Sequence, residues 1–62
     1  MQTAKSIEVY FKSTITRSIW SNKKALQYEI NNGFLAVSFI EGTNNKIVYL
    51  ETSDIWRMEV DK

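Results

Sequence analysis

Apolar and polar residues alternate most cleanly between Leu26 and Ile40, in two runs that meet at Asn32-Gly33. Asn-Gly between alternating runs is a strong hairpin signal, because both central residues of a type I′ turn need φ > 0. That turn sets Ile30 opposite Leu35, Tyr28 opposite Val37 and Leu26 opposite Phe39, three apolar pairs on one face. A one-residue slip would scatter all three, so turn chemistry and pattern specify the same register. A second reversal is predicted at Gly42-Thr43-Asn44-Asn45, with Glu41 opposite Lys46, Phe39 opposite Val48 and Val37 opposite Leu50. The apolar face then runs across an antiparallel meander of strands 25–31, 34–40 and 46–52.

Thr52-Ser53-Asp54 follows, a cluster whose side chains bond locally to backbone and interrupt a strand. The last run alternates Trp56, Met58 and Val60 with Ile55, Arg57 and Glu59, which predicts a strand over 55–60. A short helix capped by Ser53 or Asp54 is the alternative there. Residues 6–20 carry two periods at once. Ile7, Val9, Phe11, Ile15 and Ile19 share odd positions, as in a strand, while Ile7, Phe11, Ile15 and Ile19 lie four apart, as on a helix. The β-branched run Thr14-Ile15-Thr16 favours strand, either one long bent strand or two short ones.

The expectation is an all-β, single antiparallel domain over 1–62, with four to five strands. The meander's other face holds Ala25, Phe34, Ala36, Ile40, Ile47 and Tyr49 among polar residues, which is too apolar for a solvated face. Either the N-terminal segment folds across it and closes a small barrel, or a second subunit covers it. Five strands with a tight turn before the last resemble an SH3-like or Sm-like small barrel in strand order and spacing.

Composition narrows the chemistry. Among 62 residues there is no Cys, no His and no Pro, which excludes disulfides, the common zinc sites and every Ser-His-Asp or Cys-His nucleophile. No motif implies a cofactor. Glu41-Gly42-Thr43-Asn44-Asn45-Lys46 has one glycine and no following helix, so it is a hairpin turn rather than a phosphate cradle. Glu29 and Glu51 flank Ala36 on one face, but a chain this short cannot wall two acids into a dry cleft, and they are read as solvated or interface carboxylates. The expectation is a protein that is not an enzyme. With disulfides and metals gone, oligomerisation is the remaining support for so small a core, so a homo-oligomer is expected.

The first residues are polar and mixed, and no apolar run approaches the roughly 20 residues that span a bilayer. A cytoplasmic protein without membrane contact is expected, of the kind common among phage accessory proteins. Net charge is +1, divided into +3 over residues 1–31 and −2 over residues 32–62. Tyr10, Lys12, Thr14, Thr16, Ser18 and Trp20 fall on one side of a continuous N-terminal strand, with Lys23 and Lys24 following and Arg17 on the opposite side unless the strand bends near Ser13. Rings that stack bases beside cations that follow phosphates are what single-stranded nucleic acid requires. The first functional reading is therefore nucleic-acid binding by Tyr10, Lys12, Arg17, Trp20, Lys23 and Lys24. The alternative is a protein-interaction module, an inhibitor or adaptor acting by surface occlusion and anchored by Trp20, Trp56 and Arg57, because Trp and Arg dominate interface energetics. A structural assembly subunit is third.

Overall fold

A computed structural model describes all 62 residues, Met1–Lys62. It contains seven strands: β1 (Gln2–Thr3), β2 (Ser6–Phe11), β3 (Arg17–Ser21), β4 (Lys24–Asn31), β5 (Phe34–Glu41), β6 (Asn44–Glu51) and β7 (Ile55–Asp61), with a 3₁₀ turn at Thr52–Asp54 before the last. They form two antiparallel sheets, ordered β1-β4-β5-β6 and β3-β2-β7. No helix is long and apolar enough to cross a membrane. Residues 6–20 take the second of the two expected forms, two short strands, and with Gln2–Thr3 adding a short edge to β4 the count exceeds four to five.

The first hairpin forms in the predicted register, with Tyr28 opposite Val37 and Ile30 opposite Leu35. Asn32 and Gly33 take φ of 53° and 80°, the two positive angles of a type I′ turn. Leu26 departs from simple pairing. Lys24 faces Ile40 and Gln27 faces Ser38, so Ala25 and Leu26 together span Phe39 in a β-bulge. Ala25 sits at φ 54°. The bulge puts Lys24, rather than Ala25, beside Ile40.

The second reversal is tighter than its sequence suggests. Glu41 pairs with Asn44, leaving Gly42-Thr43 as a two-residue turn. Gly42, at φ 65°, supplies the one positive angle that a type II′ turn needs at its first central position. Asn44 and Asn45 become strand residues, and Val48 and Leu50 face Val37 and Leu35 instead of Phe39 and Val37. The register moves by two. An even shift leaves every side chain on its predicted face, so the apolar surface survives the error in the turn.

The core lies between the sheets. Ile7 and Val9 of β2 pack with Leu26, Tyr28, Leu35, Val37 and Phe39 in one cluster. The N-terminal strands therefore cover the face that both hairpins build, and the opposite face of the four-stranded sheet stays uncovered. Phe11, Trp20, Ile55, Met58 and Val60 seal the edges. No ladder runs between β6 and β7.

Ala25 gives a test of the bulge. An L-residue in the left-handed region costs about 1–2 kcal/mol, while glycine adds about 0.5–1 kcal/mol of unfolded-state entropy. Ala25→Gly is expected to raise stability by up to about 1 kcal/mol in urea denaturation, and Ala25→Val to lower it by more than that.

Candidate functional site

β2 is the middle strand of its sheet, so its odd residues fill the core and Glu8 and Tyr10 face outward. Tyr10 stands opposite Arg17 on β3 and Arg57 on β7. Both guanidiniums flank its ring, with Cζ of Arg17 6.0 Å and Cζ of Arg57 5.5 Å from the centroid, within reach of cation–π attraction. The Tyr10 hydroxyl donates to Glu8 Oε2 at 2.7 Å, and the same oxygen accepts Arg17 Nη1 at 3.0 Å. Arg57 Nη2 meets Glu59 Oε2 at 2.7 Å. Each arginine has its own carboxylate, which leaves the cluster close to neutral.

A second β-bulge completes the site. Arg57 faces Tyr10 and Ile55 faces Phe11, so Trp56 is the extra residue on β7. Plain alternation predicts Trp56 inward with Met58 and Val60. The bulge reverses this: Ile55 packs against the core, and Trp56 turns out, 59% exposed, with its ring 5.6 Å from that of Tyr10. Bulges re-aim single side chains in this way. Trp56, Tyr10 and the 12–16 loop then border an open cleft of about 470 Å³.

Asp54 fixes the far wall of that cleft. Ser13 donates its backbone N–H to Asp54 Oδ1 at 3.0 Å and its hydroxyl to Oδ2 at 2.6 Å. Lys12 N–H donates to the Asp54 carbonyl at 2.7 Å. Asp54 is the turn residue its sequence suggests, the last of the 3₁₀ turn, and is also a clamp across 41 positions of chain. At the loop tip Ile15 is fully exposed, although odd-position alternation had grouped it with the core residues Ile7 and Val9.

The residues read as one nucleic-acid surface lie in four places. Tyr10 and Arg17 are cross-strand partners, and Lys12 lines the cleft. Trp20 faces the other way: it pairs with Ile7 and packs against the core. Lys23 lies with its Nζ 5.1 Å over the Phe39 ring and 3.5 Å from Glu41. Lys24 belongs to the uncovered face of the other sheet. Parity explains Arg17 and Trp20, since the reversal at 12–16 resets which side of the chain faces in. Of the residues read as partner anchors, Trp56 and Arg57 meet and Trp20 does not. Glu8, Ile15 and Glu59 join the site with no prior sequence signal. Glu29 and Glu51 do straddle β5 in adjacent rows, both exposed.

The Tyr10 phenol is held above its ordinary value near 10, chiefly because ionisation would break its hydrogen bond to Glu8, with partial burial adding and Arg17 opposing. The neutral phenol is the favoured form in the folded protein. Its stabilising contribution is therefore complete below the unfolded pKa and is lost as pH rises through the raised one. Absorbance titration of the protein against Tyr10→Phe should place this phenol above 10, and Glu8→Gln should bring it down. Asp54→Ala is expected to cost about 1 kcal/mol and to speed amide hydrogen exchange at Ser13. No protein-family model, curated protein or solved structure matches the chain, so the Tyr10–Trp56 cleft itself is the guide to what this protein does.

Proposed function

We propose that this protein is a non-enzymatic module that binds a protein partner in the Tyr10–Trp56 cleft. The observation that carries this reading is the bulge on β7, which turns a tryptophan out of a core that alternation would have given it. A large, rigid aromatic held at 59% exposure beside a second ring and two arginines has the composition of an interface hot spot. The strand order, with a 3₁₀ turn before the last strand, resembles that of an SH3-like small barrel, and loops carried on a rigid scaffold commonly serve as binding elements. Because Arg17 and Arg57 are paired, Lys12 is the one free cation of the cleft. The partner this suits presents an apolar side chain beside a carboxylate.

Nucleic-acid binding has less support, because Lys23 and Lys24 stand away from the aromatic pair and no cationic track remains for a phosphate backbone. A partner captured by the immobilised protein should be lost at least about 30-fold with Trp56→Ala, the scale of a hot-spot truncation. Trp20→Ala should instead lower stability while sparing capture by the folded fraction. Fluorescence anisotropy with labelled single-stranded DNA and RNA separates the readings. Tight binding at physiological salt that Trp56→Ala abolishes would transfer the cleft to nucleic acid and overturn the protein-partner reading.

A further inference from the structure

The four-stranded sheet has one face packed on β2 and β7 and one face with nothing over it. On the uncovered face Phe34, Ile47 and Tyr49 stand 45%, 51% and 65% exposed. They are neighbours: Phe34 and Tyr49 lie in adjacent rows, and Ile47 lies one row further on. Charge is ordered along the strands. Lys24 shares the first row with Ile40, while Glu29 and Glu51 lie in the last two rows beside Ala36 and Phe34. Lys24 has no ion-pair partner within the chain, and Glu29, at the other end of the same strand, meets only the N-terminal ammonium, at 3.6 Å.

We propose that this face docks a second copy of the same chain, giving a two-fold dimer in which the outer faces of the two four-stranded sheets pack against each other. Such a dimer goes beyond the cleft reading and does not depend on it. A two-fold axis lying across the strands lays the Lys24 end of each copy on the acidic end of the other and superposes the apolar middles. The surface is thus complementary to itself, as an isologous interface must be. Aligned sheet packing at about −30° keeps this correspondence. At 4.8 Å between strands and 3.3 Å per residue, the three eight-residue strands and the two-residue β1 project to about 400 Å². Two such faces bury about 800 Å², the size of a small, reversible interface, so the dimer exchanges with monomer rather than being permanent. Because the dimer uses the sheet remote from Tyr10 and Trp56, both clefts stay open to solvent.

Sedimentation equilibrium at up to about 300 μM, high enough to populate a weak dimer, tests this. The wild type should be dimeric, and Ile47→Glu should raise Kd at least about tenfold with unchanged far-UV circular dichroism. Tyr49→Lys is the second variant, since Tyr49 is more exposed still. Lys24→Glu should weaken the dimer, and adding Glu29→Lys should restore it. Trp56→Ala should leave it intact. A wild-type monomer at the highest concentration, a dimer indifferent to both Ile47→Glu and Tyr49→Lys, or a dimer lost with Trp56→Ala would overturn the proposal. A dimer indifferent to Lys24→Glu would overturn the orientation.

Discussion

Four side chains with no solvent exposure join the two sheets: Ile7 and Val9 from one, Leu35 and Val37 from the other. Each contributes about 1.5–3 kcal/mol by leaving water, and a chain with eight buried residues has little else to draw on. Everything else follows from that contact. It decides which face of the four-stranded sheet is covered, it forces Glu8 and Tyr10 outward on β2, and it leaves Phe34, Ile47 and Tyr49 in solvent. The small core also makes each departure from regular pairing costly, so the two bulges stand out.

Both bulges act on side-chain direction. At Ala25 the extra residue keeps Leu26 buried with Phe39 while transferring Lys24 to the opposite face. At Trp56 the extra residue sends Ile55 in and the indole out. In each case one inserted position breaks the period of two, and the residues on either side of it are read onto different surfaces. The cleft and the charge order of the outer sheet both depend on these two positions. Asp54 adds the long-range element by tying the 12–16 loop to the 3₁₀ turn next to Trp56.

Local chemistry determined a good deal. Asn32-Gly33 set a type I′ hairpin and its register, since the angles that turn requires are available to few other residue pairs. The faces of β4, β5 and β6 were legible even though the second turn was two residues shorter than the letters suggested, because a shift of two preserves the side-chain period. The strand character of 55–60 and the break at 52–54 were legible for the same local reasons.

The tertiary structure alone decided the rest. Which face of the meander the N-terminal strands cover is set by where Ile7 and Val9 find the better-packed partners, and alternation cannot distinguish two apolar faces. Trp20 falls on the core side because the chain reverses at 12–16, the bend near Ser13 that also brings Arg17 to Tyr10, and Trp56 leaves the side of Met58 and Val60 because of a bulge that the spacing of residues does not mark. The partnership of Ser13 with Asp54 spans most of the chain. Periodicity reports which residues share a side of one strand; which strands meet, and therefore which side chains make a site, depends on the non-local packing of Ile7 and Val9 against Leu35 and Val37.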